Sequence, residues 1–463
     1  MTQQVRFDQD LIKRYDVSGP RYTSYPTAVQ FHEGFDAVAY EMIAAASNAE
    51  LIPRPLSLYV HLPFCHSLCY YCGCTKKITR HPEHGAVYLE HLLREVQMQG
   101  RLFDRDRMVD QLHFGGGTPT FFDDAQLTQL MEHLRDAFTL QPSAEREFSI
   151  ELDPRTVDPQ RLETLSRLGF NRISLGVQDF DPAVQQAVNR IQSKQETLAL
   201  IDYSRDLGFE SISLDLIYGL PLQTVESFDK TLDTVLDARP DRLAVYNYAH
   251  MPQLFRAQRM INEEDVPTPA TKLQLMELTI KRLIDAGYVF IGMDHFALPD
   301  DELTLAQREG KLQRNFQGYS THKECDLVGL GVSSIGKIGD CYAQNLKTIP
   351  TWQGAVHAGE LPIWRGVTLG TEDRLRRSII ESIMCHGELR YGDFEQRYGI
   401  EFEEHFTPEV QRLDPLEQDG LIELEAGGFT VTPAGRLLLR NIAMLFDEYL
   451  SRSEQPQRFS RVI

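Results

Sequence analysis

The sequence predicts an α/β fold: a partial (β/α)6 barrel with an N-terminal arm and a mostly helical, winged-helix-like C-terminal domain. Three observations support this prediction. Short apolar strands alternate with amphipathic helices through the middle of the chain, which is typical of a parallel sheet. The strands carry polar residues on one face only. After the barrel region, the sequence predicts helices on either side of a β-hairpin. We place the arm at 1–35, the barrel at 36–365 and the C-terminal domain at 366–463.

The amino-acid composition limits the classes of protein to which the chain can belong. The chain has 463 residues, 42% of them hydrophobic and 25% charged, enough for a large catalytic domain and a smaller one. Seven cysteines, no apolar leader and no membrane-length apolar run indicate a protein of the reducing cytoplasm, without a membrane partner. A net charge of −20 argues against nucleic-acid binding, which needs Lys and Arg to neutralise phosphates.

The N-terminal arm is expected at 19–27, a stretch rich in aromatic and turn-forming residues without periodicity. Two interpretations stay open. The arm packs on the surface, or Arg21 pairs with a substrate carboxylate, as a guanidinium does in a bidentate manner.

The barrel prediction rests on six strands and five intervening helices. Asp158 is the expected N-cap of the third helix, and glycines end several helices before an aromatic residue. The predicted strands are 56–62, 111–116, 147–153, 172–178, 211–217 and 242–249, and the helices are 87–104, 124–138, 159–168, 194–207 and 225–237.

Strand parity separates a barrel from an open sheet. Successive side chains of a strand point to opposite faces, so Phe148, Ile150 and Leu152 share one face and leave Ser149 and Glu151 on the other. An open sheet covered on both faces would be apolar throughout. We therefore expect a polar lumen, with the site at the C-terminal ends of the strands. Further residues of the polar face are Tyr59, His61, Gln178 and Asp215.

The loop after the first strand carries Cys65, Cys69 and Cys72 in a C-x3-C-x2-C spacing. This spacing suits an iron–sulfur cluster with one iron free of protein ligands, and an open position on a metal is where chemistry can occur. Zinc or a redox-sensing thiol cluster is the alternative, but zinc would need further ligands and the other cysteines are scattered. Cys74 follows too closely on Cys72, and we leave it outside the cluster as a neighbour.

A run of glycines and four histidines are further candidate residues of the functional site. Gly115, Gly116 and Gly117 end the second strand, where a ligand could approach the backbone and carbonyls could accept hydrogen bonds from an ammonium group. The run lacks the ending of a phosphate loop, and most such runs are only turns. The histidines are candidates for a proton relay, although a lone histidine is more often structural: His61, His113, His250 and His295.

The C-terminal domain should begin with a helix capped by Thr371 that presents Leu375, Ile379 and Ile383 on one face. A hairpin of 421–425 and 429–432 follows, then a further helix. The wing carries Glu423 and Glu425 and no basic residue between 421 and 435, so the winged-helix-like arrangement does not predict DNA binding.

Taken together, these motifs resemble the oxygen-independent coproporphyrinogen III oxidase family of the radical S-adenosylmethionine (SAM) superfamily. The cysteine loop alone indicates the superfamily. The Gly73-Cys74 continuation and the arm are more specific, because related haem chaperones usually have Phe in place of Cys74 and lack the arm. The other matching motifs are Gly-Gly-Gly-Thr-Pro-Thr at 115–120, Glu151-Leu152-Asp153-Pro154-Arg155, Gly176-Val177-Gln178-Asp179, Val188-Asn189-Arg190, Asp215-Leu216-Ile217-Tyr218-Gly219-Leu220-Pro221 and Asn315-Phe316-Gln317-Gly318-Tyr319.

The resemblance implies the cofactors and their ligands. Cys65, Cys69 and Cys72 would hold a [4Fe–4S] cluster, whose free iron is chelated by the amino and carboxylate groups of SAM. A first SAM would contact Tyr59, Gly116 and Glu151. A second SAM, also described for the family, would map onto Tyr71, Gly117, Thr118, Gln178, Arg190, Asp215, Ala249 and Ile335. A relative can have Phe in place of Tyr71, a change that a backbone contact would survive.

The resemblance also implies an activity. A one-electron reductant, such as a flavodoxin- or ferredoxin-type protein, would start SAM cleavage, and the 5′-deoxyadenosyl radical would take hydrogen from the β-carbon of a propionate of coproporphyrinogen III. Loss of CO2 and one electron, repeated on a second ring, would give protoporphyrinogen IX in haem biosynthesis. We expect a monomer. The alternative on the same scaffold is a haem chaperone or methyltransferase.

Overall fold

A computed structural model describes residues 5–322 and 325–452 of the chain. The chain divides into two compact units. The larger contains 31–275 and 324–368, and the smaller contains 1–30, 276–323 and 369–463. The smaller unit therefore draws on three separate stretches, and the domain boundaries expected from the sequence stay a prediction.

Six parallel strands lie side by side in the larger unit, in the spatial order β6-β5-β4-β3-β2-β1. All six predicted strands are confirmed, with small differences at their ends. Their bounds are β1 Leu56–Leu62, β2 Met108–Gly116, β3 Glu147–Leu152, β4 Arg172–Gln178, β5 Ser211–Tyr218 and β6 Arg242–Asn247.

The five predicted helices are also present, at Pro82–Gly100, Asp124–Ala137, Pro159–Leu168, Lys194–Asp206 and Val225–Ala238. Asp158 caps the third helix as expected, through the amide of Arg161. The first helix begins five residues earlier than predicted, because Pro82 occupies its first turn, where a missing N–H costs nothing.

The sheet continues beyond β1 through four strands that the sequence did not predict. β7 (Asp326–Leu330) runs parallel to β1, and β8 (Ile335–Ile338), β9 (Cys341–Asn345) and β10 (Ile363–Thr368) follow as antiparallel neighbours. β7 is buried throughout, so it shows no alternation of polar and apolar residues. β8 and β9 are only four and five residues long.

The predicted alternation is present along β3, β4 and β5, whereas β1 is buried at every position except Tyr59. Phe148, Ile150 and Leu152 of β3 are buried, whereas Ser149 and Glu151 between them are only partly covered. β4 and β5 repeat this pattern. The apolar face forms the core, and the polar face is left for a site.

Shorter elements complete the larger unit. A two-residue strand, Phe64–Cys65, pairs with Lys77–Ile78, and Thr139–Leu140 pairs with the start of β2. The remaining helices within this unit are Ala37–Asn48, Pro182–Ala187 and Ile349–Ala358; Pro269–Asp285 spans the unit boundary at 275.

The smaller unit has a helical core, two small sheets and one further strand pair. Strand Glu388–Arg390 joins the predicted hairpin of Ile422–Glu425 and Gly428–Val431, and two further pairs are Val289–Gly292 with His295–Ala297 and Gln313–Asn315 with Gly318–Ser320. Its helices are Gln9–Tyr15, Glu302–Arg308, Thr371–His386, Tyr391–Tyr398, Phe402–His405, Thr407–Val410, Asp414–Gln418, Leu439–Ala443 and Glu448–Arg452.

The first long helix of this unit and the N-terminal arm differ in part from what the sequence predicts. Thr371 was expected to cap the helix that carries Leu375, but the N-cap is Gly370, whose amide donates to Asp373 at 2.9 Å, and Thr371 is the first helical residue. Because Gly370 has no side chain that could cap the helix, the sequence predicted the neighbouring hydroxyl residue, Thr371, as the N-cap.

In the N-terminal arm, Tyr22 and Tyr25 are buried in the core of the unit and Arg21 pairs with Asp294. A substrate contact by Arg21 stays a prediction.

A buried ion pair anchors the start of β7. The Arg107 guanidinium donates to Asp326 at 2.7 Å, and both side chains are almost fully buried. The same guanidinium donates to Ser47 and Asn48, so it joins three parts of the larger unit.

Replacing Arg107 with methionine should destabilise the protein by about 3–5 kcal/mol, because it leaves the Asp326 carboxylate buried without a cation. Chemical denaturation measures the change. Arg105→Met removes an exposed guanidinium from the same loop and should cost less than about 1 kcal/mol. Equal losses for the two variants would contradict the prediction.

No helix in the described part of the chain combines the length and the apolar character needed to cross a membrane.

Candidate active site

The candidate site lies along the C-terminal ends of the parallel strands. The cysteine loop follows β1, the glycine run ends β2, and Glu151, Gln178 and Asp215 lie on β3, β4 and β5. In a parallel sheet these ends meet at one edge, so residues far apart in sequence become neighbours.

Backbone hydrogen bonds hold the cysteine loop at both ends. The amide of Lys77 donates to Pro63 at 2.7 Å, and the amide of Thr79 donates to Cys65 at 3.0 Å. Inside the loop, the amide of Cys72 donates to Cys69 at 3.3 Å. The three cysteines are therefore held in a compact turn beside the end of β2.

Hydrogen-bond donors face two of the sulfur atoms. The Thr118 hydroxyl donates to Cys65 Sγ at 3.5 Å, while Arg190 and Arg155 donate to Cys69 Sγ at 3.4 Å and 3.6 Å. Both guanidinium groups also bind Asp153. The thiolate is the form that ligates metal, and such donors act in its favour, but at Cys65 burial outweighs the Thr118 hydrogen bond and raises the pKa of the thiol to about 11.

The spread of the sulfur atoms distinguishes a cluster from a single ion. Ligands of one ion, such as zinc, must converge to within a few ångström of each other. Within the described residues, Cys65, Cys69 and Cys72 form no group whose ligand atoms all lie within 4.8 Å. Three sulfurs around a larger space fit a polynuclear cluster, and the hydrogen-bond donors at Cys65 and Cys69 fit sulfur ligands.

Cys74 lies beside Cys72 and is exposed. Its side chain is a hydrogen-bond partner of Cys72 and is the main cause that lowers the pKa of Cys72 to about 5. The structure thus places Cys74 beside one of the three candidate ligands.

A hydrogen-bonded chain links β2 and β3. His113 bridges Ser149 at 2.6 Å and Glu151 at 3.2 Å, and the amide of Gly116 donates to the other oxygen of Glu151 at 3.1 Å. Burial raises the pKa of Glu151, but these hydrogen bonds outweigh it and the pKa lies below its usual value. Glu151 is therefore an ionised carboxylate near the glycine run.

Tyr59 and His61 on β1 extend this chain. The ring of Tyr59 stacks on His113 with centroids 5.8 Å apart. Because His61 Nε2 lies 3.1 Å from the carbonyl of Thr75, it carries a proton, and Nδ1 accepts from the Tyr59 hydroxyl at 3.0 Å. Burial lowers the pKa of His61, which favours the neutral ring.

The last two glycines of the run permit close packing. Gly116 has a φ of +113°, and a Cβ there would lie 2.6 Å from the His61 ring. A Cβ on Gly117 would lie 2.7 Å from both the Phe64 carbonyl oxygen and the Pro63 carbonyl carbon. The run thus lets the end of β2 touch the backbone of the cysteine loop.

A second group of candidate residues surrounds Arg190. Besides Cys69 and Asp153, its guanidinium donates to the carbonyl of Gly176, and the Gln178 side chain lies near the same glycine. Tyr71 is close enough to perturb Arg190 electrostatically. The described structure offers no partner for Arg190 Nε, although this atom is buried. A buried donor without a partner is consistent with a ligand-binding surface.

The remaining candidates lie around these two groups. Asp215 on β5 accepts from Ser174 at 3.3 Å. Gln258 donates to the carbonyls of Tyr71 and Ala249 at 2.9 Å and 3.2 Å, so these two backbone segments meet. Ile335 begins β8, next to Gly329, which pairs with Tyr59. His250 binds Tyr248, and His295 belongs to the smaller unit; the proton-relay role of the histidines stays a prediction.

Sequence reasoning missed three contributors. Asp153 and Arg155 lie together in a quoted motif, yet their role in holding Arg190 and facing Cys69 was not inferred. Gln258 lies in a short 3-10 helix without a recognisable pattern. Of these three residues, only Asp153 and Arg155 had a signal in the sequence. They are an acidic and a basic residue two positions apart, immediately after a strand with a polar face.

The charge of Asp215 should make stability depend on pH. Burial, followed by the nearby Glu151, raises the pKa of Asp215 to about 7. A carboxyl group whose pKa is higher in the folded state stabilises the fold when protonated. That contribution should decrease as pH rises from about 4 to about 7, by up to about 4 kcal/mol at 1.36 kcal/mol per pKa unit.

The variant Asp215→Asn should lose this part of the pH dependence, so its thermal midpoint should fall less than that of the wild type between pH 5 and pH 8. Glu95, whose pKa burial also raises to about 7, keeps part of the slope in both proteins. Asp237→Asn, at an exposed position, is the matched control. Identical profiles for all three proteins would contradict the prediction.

Comparison with known proteins gives consistent results. The radical SAM superfamily profile matches residues 59–235, and that of the HemN C-terminal domain matches residues 369–438. The oxygen-independent coproporphyrinogen III oxidase of Pseudomonas aeruginosa is 51% identical over 463 residues, with full coverage of both chains. The protein of the same name from Escherichia coli K12 is 49% identical over 461 residues, covering 100% of this chain and 99% of its own.

A solved structure agrees with these relatives. Coproporphyrinogen III oxidase (HemN) from Escherichia coli, described as a radical SAM enzyme, superimposes with a TM-score of 0.91 at 48% identity. The match covers 96% of this chain and 100% of that one. The fold expected from the strand pattern is thereby confirmed.

Proposed function

The chain belongs to the family of oxygen-independent coproporphyrinogen III oxidases, radical SAM enzymes, and from this premise we propose that it converts two propionate side chains of coproporphyrinogen III to vinyl groups. The product would be protoporphyrinogen IX, an intermediate of haem biosynthesis. The observation that carries the proposal is the meeting of the cysteine loop with the polar strand ends at one edge of the sheet.

The cofactors follow from the family. As a radical SAM enzyme, the protein uses a [4Fe–4S] cluster and SAM. When bound, they supply a 5′-deoxyadenosyl radical that takes hydrogen from the substrate. We assign the cluster to Cys65, Cys69 and Cys72, an assignment supported by the donors on two of the sulfurs.

The residues of the chain would bind SAM and orient it towards the substrate. The ionised Glu151, anchored by His113 and Gly116, offers an acceptor to the first SAM, beside Tyr59. The glycine run lets the methionine part of SAM approach the backbone without a side-chain clash. Such positioning fixes the C–H bond that reacts and keeps water away.

A second SAM is part of the proposal. Its candidate contacts are Tyr71, Gly117, Thr118, Gln178, Arg190, Asp215, Ala249 and Ile335. The buried Nε of Arg190 and the partly buried, protonatable Asp215 supply a donor and a group that can donate or accept. These features support binding of a second polar ligand next to the first.

The partners beyond the substrate are also proposals. A flavodoxin- or ferredoxin-type protein would deliver the electron, the enzyme would act as a monomer, and the cytoplasm would be its compartment. The alternative of a haem chaperone or methyltransferase is not favoured, because relatives named for the oxidase match from end to end.

Anaerobic incubation with a reductant, SAM and coproporphyrinogen III tests the proposal. We expect 5′-deoxyadenosine, CO2 and a product with two vinyl groups, and none of these when SAM is omitted. Methylated product or tightly bound haem without CO2 would support the alternative, and absence of all products would overturn the proposed reaction.

A further inference from the structure

Two cations lie on one tryptophan at the far end of the sheet. Lys347 Nζ is 4.2 Å from the centroid of the Trp364 ring, and the Arg365 guanidinium carbon is 4.4 Å from the same centroid. Arg365 also lies over Phe31 at 5.7 Å. We call Lys347, Trp364 and Arg365 the cation–tryptophan cluster.

The cluster lacks the counter-ion that such charges normally have. In the described structure, neither Lys347 nor Arg365 has a carboxylate within the 4.0 Å of an ion pair, and Arg365 Nε donates to the amide oxygen of Gln344 at 2.8 Å. A neighbouring acid, Glu33, accepts from the Trp364 indole at 3.0 Å instead.

Burial and mutual repulsion both act against these charges. Burial, followed by the charge of Arg365, lowers the pKa of Lys347. Burial also lowers the pKa of Arg365, although Glu33 opposes this in part. Lys347 is exposed and Arg365 is half-buried, so both cations are accessible to an anion.

The topology places the cluster at the same edge of the sheet as the candidate active site. β9 runs in the direction of β1 and β7, so Lys347, which follows its C-terminal end, lies at the edge where the parallel strands end. β10 runs the opposite way, and Trp364 and Arg365 are near its start, at that same edge.

The register places Arg365 on the polar face. Cross-strand partners share a face, and a continuous row of partners joins Ser57, Leu327, Lys337, Tyr342 and Val367. Tyr59 lies two residues after Ser57, and Arg365 lies two residues before Val367. Both therefore point to the same face as that row.

A β-bulge brings the indole to this face as well. Gln344 pairs with Arg365, but the next residue, Asn345, pairs with Ile363, so Trp364 is an extra residue on β10. A bulge re-aims the side chain of the extra residue. This explains how adjacent residues of one strand, Trp364 and Arg365, stack on each other.

We propose that the cation–tryptophan cluster binds a carboxylate of the tetrapyrrole substrate, one of the two propionates that the reaction leaves unchanged. The inference rests on the proposed function. Four strand spacings separate β1 from β10, about 19 Å along the sheet, so the cluster is suited to a remote part of a large ligand rather than to the reacting carbon. It would orient the macrocycle by its rim.

Binding of coproporphyrin III, the stable oxidised form of the substrate, tests the proposal in cluster-containing protein. The double variant Lys347→Gln/Arg365→Gln should bind it at least about tenfold more weakly, the loss expected for one or two charge-assisted hydrogen bonds. Its affinity for the tetramethyl ester, which has no carboxylate, should not change. Arg101→Gln/Lys230→Gln removes two exposed charges elsewhere and should bind both probes like the wild type.

Further measurements separate a binding role from loss of fold. The swap Lys347→Arg/Arg365→Lys keeps both charges and should restore most of the affinity. In turnover, the Gln variant should raise KM for coproporphyrinogen III more than it lowers kcat, with SAM cleavage in the absence of substrate unchanged. Inorganic phosphate should compete only weakly with coproporphyrin III.

Three results would overturn the inference: equal affinity of the Gln variant and its control, equal affinity of the wild type for acid and ester, or complete competition by millimolar phosphate. Failure of the proposed reaction would be seen separately, as absence of vinyl product from the wild type, because porphyrin binding is measured without turnover.

Discussion

Replacing Cys69 with serine is expected to reduce bound iron and 5′-deoxyadenosine formation to background. Serine offers a hard oxygen where the cluster needs thiolate sulfur. The two guanidinium groups that now donate to Cys69 Sγ would face a weak acceptor. Iron analysis and the visible spectrum of anaerobically purified protein measure the first effect, and chromatography of the SAM products measures the second.

The matched control is Cys74→Ser, which changes an exposed thiol two residues after Cys72. We expect this variant to keep its iron and to cleave SAM, because Cys74 lies beside the ligands and is not assigned as one of them. If it lost as much iron as Cys69→Ser, Cys74 would be a fourth ligand, the cluster would have no open position and the proposed chemistry would lack its source.

Replacing Gly117 with alanine should destabilise the protein by about 1–3 kcal/mol and abolish SAM cleavage. The added Cβ would lie 2.7 Å from the Phe64 carbonyl oxygen. Backbone cannot rotate away as a side chain does, so the cysteine loop or the end of β2 must shift. Such a shift would break the 2.9 Å hydrogen bond from the Gly117 amide to Leu62 and move Cys65 relative to Thr118.

A second glycine provides a control, because its replacement by alanine should change the stability of the protein in the opposite direction. Gly354 lies within the helix Ile349–Ala358, and a Cβ there would meet no atom within 4 Å. Gly354→Ala should therefore stabilise the protein by about 0.5–1 kcal/mol through helix propensity, with SAM cleavage unchanged. Chemical denaturation and the SAM-cleavage assay apply to both variants. Wild-type cleavage by Gly117→Ala would contradict the proposed role of the glycine run.

Local patterns were sufficient to predict the barrel. β3, β4 and β5 bury one face and leave the other only partly covered, and this period of two is visible in stretches as short as 147–152. The same parity brought Tyr59, Glu151, Gln178 and Asp215 to one face before any contact was known. The ends of the third helix were predicted with similar success, at its N-cap Asp158 and its C-cap Gly169.

Long-range contacts account for what the sequence did not reveal. The pairing of Arg190 with Asp153 spans 37 residues, and that of Gln258 with Tyr71 spans 187. β7 is buried on both sides and has no alternation to detect. The bulge that brings Trp364 beside Arg365 depends on the register of the neighbouring strand, which no local pattern encodes.

The amino-acid sequence alone was enough to establish the alternating strands and helices, the polar lumen and the three-cysteine loop. These features depend on periodicity and on the spacing of residues that are close in sequence. The partners of the sulfurs, the ionised state of Glu151 and the cation–tryptophan cluster depended on the folded arrangement. Burial and hydrogen bonding set the charge of a side chain, and both arise only when distant segments pack together.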